Sequence, residues 1–422
     1  MLAKKRFCKL FKTPKKLDSI DFFYRWAYNE YSIRKKILFL KRDVFMQKVI
    51  AVLMCFILIS SLCGCNDTRT ATPQEQPVSN DAQSSVDKAL CSVMAVFCDI
   101  NAPTGATVAT SDGSAVIIRI SGDRAYLVTN YHVIYNELSG KNGTLLCDAI
   151  TLAPYGAEDG DGYAAECLWY SKDYDLALLR ISDFSSTFPA ARAAEADVLR
   201  EIGAGDPILA IGNWLGLGIA VHRGCIGRPY EEITLPVSYS DLDLTLCLTR
   251  FEAVMNKGDS GGALFSDDGK LLGIINARRT DGTVGYAIPI STVFPIIDQV
   301  ISACERGEEP RAYSLRMGIS VEDKIIKTEY DADTQKITTH RELLITSADV
   351  GSVGSVFLQA DDVLLGVSRN GGAERPLNTE RQLEEFLSSC ASGDTLIWRY
   401  RRGDSEQTYS LTVTPLQLQE IK

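Results

Sequence analysis

Three residues of this chain have the types that acyl transfer through a serine requires: His132, Asp175 and Ser260, separated by 43 and 85 residues. Such chemistry needs a nucleophile whose proton is removed during attack, a base held in one tautomer, and donors for the developing oxyanion. His132 lies in Thr129-Asn130-Tyr131-His132-Val133, directly after the apolar run at 125–128. Asp175 opens the apolar run Leu176-Ala177-Leu178-Leu179, where a half-buried carboxylate is placed to hold an imidazole. Ser260 sits in Asn256-Lys257-Gly258-Asp259-Ser260-Gly261-Gly262, whose glycines permit a sharp turn and close backbone approach. His222 and His340 read as strand-face or solvated histidines, and Asp173 as a turn residue.

The serine segment also fits the nucleophile elbow of an α/β-hydrolase, but that arrangement places its histidine after the serine. Only His340 follows Ser260, in a charged segment with no strong helix pattern behind the serine. A bare glycine turn, in turn, leaves the upstream His and Asp without a purpose.

The elements around these residues are short and β-rich. Between about residues 86 and 300, apolar runs such as 115–120, 125–128, 149–152 and 177–181 alternate with Gly/Asp turns, the pattern of an all-β sandwich or pair of barrels. The apolar segment 293–301 predicts a closing helix, and Glu305-Arg306-Gly307-Glu308-Glu309-Pro310 marks a boundary. After it, Thr379-Glu380-Arg381-Gln382 has a capping-box pattern, and Leu383, Phe386, Leu387 and Cys390 fall on one helical face. Alternating runs at 395–401 and 407–414 then predict a small α+β domain.

The order His, Asp, Ser is that of the chymotrypsin-like double barrel. Taken with Gly113-Ser114-Ala115-Val116-Ile117-Ile118, Gly205-Asp206-Pro207-Ile208-Leu209-Ala210-Ile211-Gly212-Asn213 and Gly285-Tyr286-Ala287-Ile288-Pro289, the motifs make residues 86 to about 415 resemble the HtrA/DegP proteases, trypsin-like domains followed by a PDZ domain. The resemblance implies a protease domain at 86–304, a PDZ-like domain at 311–418, a serine endopeptidase acting on protein or peptide substrates, and a homotrimer as the family's common assembly. It implies an oxyanion hole from the N–H groups of Gly258 and Ser260. The base of the S1 pocket falls on Val254, and its wall on Asn276, Ala277 and Arg278. An apolar base favours small or medium aliphatic side chains, because a buried cation there has no counter-charge. Met317, Gly318 and Ile319 stand where a PDZ domain binds a peptide carboxylate, with 360–365 as the later strand; the segment 323–352 is longer than a minimal PDZ domain needs. Asp259 replaces the asparagine usual before the serine in HtrA proteases, and Lys257 or Arg278 are the candidate counter-charges. A catalytically silent barrel whose PDZ domain captures misfolded tails is the rival function.

Charge and hydropathy place the chain. Residues 1–45 carry 13 Lys/Arg against 4 Asp/Glu, so the formal net charge of −10 leaves −19 on the remainder, a poor match to nucleic acid. The apolar run 49–62 is 14 residues long, short of the roughly 20 of a spanning helix. With Lys48 before it and small residues after, it fits an export signal at 46–65. Leu62-Cys63-Gly64-Cys65 resembles the lipobox of bacterial lipoproteins, with Cys65 as the lipidated residue; an uncleaved anchor helix is the other reading, and both put the body outside the cytoplasm. Residues 1–45 form either a basic membrane-surface arm or a segment upstream of a start at Met46, and the polar stretch 66–85 reads as a tether. Eight cysteines follow Cys65 without pairing information, and no spacing suggests a metal or a cofactor.

Overall fold

The computed structural model describes residues 80–101, 107–136, 146–157, 162–185, 187–332 and 336–422. The N-terminal arm, the signal segment, Cys65 and most of the tether lie outside these residues. The tether's last part does not stay extended: helix α1 spans Asn80–Cys91, beginning six residues inside the predicted linker. Its inner side is secured where Ala89 joins the core and Val86 and Leu90 pack against it.

Two closed six-stranded barrels follow. The first contains β1 (Val93–Asn101), β2 (Thr107–Ser121), β3 (Arg124–Thr129), β4 (Ala149–Pro154), β5 (Tyr163–Ser171) and β6 (Leu176–Ile181), in the order β1-β2-β3-β6-β5-β4. A four-residue helix, α2 (Tyr131–Ile134), leaves the end of β3, and a second short helix, α3 (Ala196–Glu201), precedes the next barrel. That barrel contains β7 (Pro207–Asn213), β8 (Ile219–Leu235), β9 (Leu244–Glu252), β10 (Ala263–Ser266), β11 (Leu271–Arg278) and β12 (Val284–Pro289), in the order β10-β11-β12-β9-β8-β7. The strands nearest the seam are apolar on both faces, as in β3 and β6, because one face fills a barrel and the other meets its neighbour. Met94, Ile117, Leu127 and Leu179 fill the first barrel. Tyr126, Val128, Leu176 and Leu178 turn outward into a second cluster shared with Ile211, Leu264, Ile274 and Ile288. Helix α4 (Ile290–Glu305) closes this cluster with Val293, Ile297 and Val300, as the apolar segment predicts.

The C-terminal domain is smaller and α+β. Its sheet runs β14 (Ile319–Asp331), β15 (Lys336–Ala348), β16 (Val363–Arg369), β18 (Thr395–Arg402) and β19 (Ser405–Thr412), with β17 (Arg375–Pro376) beside β16. The segment longer than a minimal PDZ domain is the β14–β15 hairpin, whose register runs unbroken to Asp331↔Lys336 apart from two bulges. Helix α5 (Glu380–Leu387) begins at Thr379, whose hydroxyl accepts from Gln382 N–H at 3.3 Å. The domain does not stop at residue 418: β20 (Leu418–Glu420) pairs with β13 (Tyr313–Leu315), and buried Ile421 completes the packing. Helix α5 faces the second barrel, where Arg381 stacks 3.4 Å above the Tyr230 ring and bonds Ser291 and Glu385.

Trp398 is fully buried between Phe386 and Phe357 in the C-terminal core. Trp398→Ala is expected to destabilise that domain by about 3–5 kcal/mol. Chemical denaturation followed through the C-terminal domain measures this; a loss under about 1 kcal/mol contradicts the packing described.

Candidate active site

The site forms at the seam between the barrels. Buried strand β3 delivers the chain to Asn130, which caps α2, and the turn before β6 brings Asp175 alongside. Asp175 has φ of 49°, a left-handed conformation that aims both its carbonyl and its carboxylate back at α2. Its carbonyl accepts from Asn130 Nδ2 at 3.0 Å and from Tyr131 N–H at 3.2 Å. Its carboxylate accepts from His132 N–H at 2.9 Å through Oδ1 and faces His132 Nδ1 at 2.6 Å through Oδ2. Asn276 Nδ2, from β11 of the other barrel, donates to the same Oδ2 at 2.7 Å.

Asp175 is 2% exposed, so its charge depends on these donors rather than on water. Burial works against a charged His132, yet the Asp175 charge and hydrogen bond outweigh it and hold the imidazole above its ordinary value of 6.5. The His132 side chain remains 31% exposed, open to an incoming group on its other nitrogen. Around the pair stand Tyr131, Tyr170 and Tyr239 with ring centroids 4.7 and 4.9 Å apart, and burial followed by the Asp175 charge keeps the Tyr239 phenol well above the usual range.

Ser260 projects from the turn between β9 and β10. This turn is held by backbone geometry: Gly258 has φ of 93°, and a Cβ on it would lie 1.9 Å from Asn213 O. Lys257 O accepts from Leu215 N–H at 2.7 Å, and Gly258 O accepts from Ser114 Oγ at 2.7 Å. Ser114 is a hub: its hydroxyl accepts from Asn213 N–H, its N–H donates to Ser260 O, and its carbonyl accepts from Thr129 Oγ1. With both flanking carbonyls turned away, the N–H groups of Gly258 and Ser260 have no acceptor among the described residues. Two free, adjacent N–H groups are what an oxyanion needs. The Ser260 hydroxyl itself donates to Asn276 O at 3.2 Å, not to His132. One residue, Asn276, thus touches both Asp175 and Ser260.

Sequence reasoning assigned Asn276 to the pocket wall; the structure corrects this. Its side chain is buried, consumed by Asp175, and only the adjacent Ala277 and Arg278 are partly open, with Arg278 bonded to Arg279 O. Val254 is 57% exposed between buried Ala253 and Met255, so it faces solvent instead of closing an enclosed pocket. The sequence does not mark Ser114 and Tyr239 as site residues, nor the bond from Asn276 to Asp175, because each acts across a gap of 64 or more residues with no local pattern. Met317 is buried, its carbonyl and that of Gly318 bonded to Gly354 N–H and Asp349 N–H. Beside them a cleft of about 520 Å³ opens between Ile319, Leu383 and Leu387 and the barrel residues Tyr174, Leu246 and Cys247.

Neither Lys257 nor Arg278 forms an ion pair with Asp259. Its carboxylate is 2% exposed, takes Asn256 N–H at 2.7 Å on Oδ2, and leaves Oδ1 without a partner. Burial pushes this carboxyl up to about 6, against weaker opposing pulls from Asn256 N–H and distant Arg278. The folded value lies above the ordinary 3.8, so the folded protein holds the proton longer and stability falls as pH rises through that window. Asp259→Asn is therefore expected to leave stability unchanged below pH 4 and to raise it above pH 6, by on the order of 3 kcal/mol. Denaturant midpoints across pH 3.5–8 check the sign, and a gain confined to acid contradicts it.

Residues 113–274 match the trypsin-like peptidase domain. The Serine protease Do-like HtrA of Bacillus subtilis (strain 168) is 27% identical over 310 residues, covering 71% of this chain and 62% of that protein. The Serine protease Do-like HtrA of Lactococcus lactis subsp. lactis (strain IL1403) is 30% identical over 310 residues, covering 70% and 69%. The Periplasmic serine endoprotease DegP of Escherichia coli (strain K12) is 28% identical over 288 residues, and the matched part is 53% of its length. A solved structure, HtrA-type protease AlgW with tripeptide, shares the fold at a TM-score of 0.51 and 23% identity over 80% of this chain and 97% of that one. The chain spans about 62% of the Bacillus relative, and with its double barrel it belongs to the HtrA family of Do-like, trypsin-like serine proteases.

Proposed function

We propose that this protein is an extracytoplasmic serine endopeptidase, tethered to the membrane through Cys65, that cleaves exposed segments of proteins by way of an acyl-enzyme. The observation that carries the reading is the buried Asp175 locked to His132 Nδ1 at 2.6 Å, with the Ser260 hydroxyl bound to the residue that also holds Asp175.

The chemistry follows from the groups present. With Nδ1 committed to Asp175, His132 presents Nε2 as the base, and a substrate carbonyl seated on Gly258 and Ser260 N–H draws the Ser260 hydroxyl from Asn276 O toward that nitrogen. Attack forms a tetrahedral oxyanion; as His132 gives the proton to the amine, the C–N bond breaks and the acyl-enzyme remains. Water then attacks the acyl carbon, and Ser260 leaves with its proton restored. Removing one oxyanion donor raises the barrier by about 2.7–4 kcal/mol. Met317–Ile319 and the neighbouring cleft are proposed as a PDZ-type site for peptide ends. Among the described residues no helix is long and apolar enough to cross a membrane, so tethering rests on the segment ending at Cys65.

Ser260→Ala is expected to abolish hydrolysis and labelling by a fluorophosphonate while thermal unfolding stays unchanged. A wild-type protein that never labels instead supports the silent binding role. Asp175→Asn is expected to lower kcat by about ten-thousandfold, and wild-type kcat/KM to rise through an inflection above pH 6.5 as His132 loses its proton. Cleavage-site profiling is expected to show aliphatic residues before the cut; dominant Lys/Arg cleavage contradicts the role of Val254, and dominant Asp/Glu cleavage transfers it to Arg278.

A further inference from the structure

We propose that Ser171 is a positioning residue for the reaction, fastening the turn that carries Asp175 to the main chain of Lys422 in the C-terminal domain. The turn has four residues, Lys172 to Asp175, between the paired ends of β5 and β6, Ser171↔Leu176. Ser171 is fully buried, and its hydroxyl is used twice. It accepts from Tyr174 N–H at 3.2 Å and donates at 2.8 Å to the main-chain oxygen of Lys422, 251 residues later in the chain. Asp173 N–H donates to the same oxygen at 2.9 Å. A carbonyl has two lone pairs, and both are taken by this one turn.

Lys422 is itself held in place. Strand β20 pairs with β13, Ile421 N–H donates to Ala312 O at 2.9 Å, and the Ile421 side chain, 6% exposed, joins the same apolar cluster as Ile288 and Val293. The two ends of the turn are fastened from within the barrels: Lys172 O accepts from the Tyr239 hydroxyl at 3.3 Å, and Asp175 O from Asn130 and Tyr131. Its centre is held from outside them, since Asp173 N–H and, through Ser171, Tyr174 N–H depend on a residue of the other domain.

Asp175 takes the last place in this turn with φ of 49°, a conformation that persists where the surroundings over-determine it. Releasing the centre of the turn lets this residue relax and carries its carboxylate away from His132 Nδ1. A displacement of about 1 Å at such a point costs on the order of a hundredfold in rate. The turn's other charged groups are engaged elsewhere: Lys172 Nζ lies 5.9 Å above the Tyr131 ring, and Asp173 Oδ2 accepts from Lys422 N–H at 3.4 Å. Among the described residues, Asp175 is the charge that sets the imidazole.

The test compares the full chain with Ser171→Ala, Ile421→Ala and the double variant, using a quenched fluorogenic peptide with valine before the cut. Ser171→Ala is expected to lower kcat by about ten- to a hundredfold with KM unchanged. Ile421→Ala, which loosens Lys422 without touching the turn, is expected to act in the same direction, and the double variant to lose less than the product of the two. Burial lowers the His132 imidazole and Asp175 raises it past its ordinary value, so NMR titration is expected to find it lower in Ser171→Ala than in wild type. The His132 signal is assigned by its absence from His132→Gln. The effect of Ser171 on rate rests on the proposed hydrolysis, whereas its effect on the His132 titration needs no turnover. A wild type that hydrolyses no peptide therefore sinks the endopeptidase reading and leaves the titration to decide the role of Ser171. An unchanged His132 titration in folded Ser171→Ala, an unchanged kcat where wild type is active, or variant effects that multiply in full overturn the proposal. If Ser171→Ala does not fold, Ile421→Ala faces the same criteria of rate and titration.

Discussion

A carboxylate removed from water is tolerated only when its oxygens are occupied by donors, and the organisation of this protein follows from meeting that condition at Asp175. Two donors come from His132 and one from Asn276, a residue of the other barrel. The barrels must meet at one register for this set to exist. The apolar cluster shared by Tyr126, Val128, Ile211 and Ile274 supplies the attraction, and Asp175 supplies the geometric requirement. Dispersion and burial set how strongly the halves associate, whereas three directed hydrogen bonds set where.

The serine turn obeys a different rule. Its shape comes from the carbonyls of Lys257 and Gly258, captured by Leu215 N–H and the Ser114 hydroxyl, and from the Asp259 carboxylate that accepts from Asn256 N–H. The orphaned oxygen of Asp259 lies within this arrangement, and the buried Asn213 Nδ2 and Trp214 Nε1 beside the turn also lack partners among the described residues.

Much of this was legible in the sequence. His132, Asp175 and Ser260 each sit at the edge of an apolar run or in a glycine cluster, which are local signals, and the barrel strands and helices α4 and α5 carry periodic patterns. The contributions of Asn276 and Ser114 were not legible, since a hydrogen bond spanning 101 or 144 residues leaves no trace in either neighbourhood. Counting positions back from the serine reached Val254 but could not register that its neighbours Ala253 and Met255 take the buried places. The tether reads as ending at Ser85 because polar residues conceal a helix whose stability comes from packing at Val86, Ala89 and Leu90, not from its own composition.

At Gly258 and Gly261 the decisive feature is an atom that is missing. A Cβ on Gly261 would lie 2.1 Å from Ser114 O, and one on Gly258 would meet Asn213 O. Neither obstacle is a flexible side-chain end; both are main-chain carbonyls of strands built into the barrels. Any larger residue must therefore be accommodated by displacing a strand, and the disturbance spreads to whatever that strand holds. Along the second barrel's rim the sequence can drift wherever side chains face solvent and touch no substrate. At these two glycines drift is closed, because the error cannot remain local.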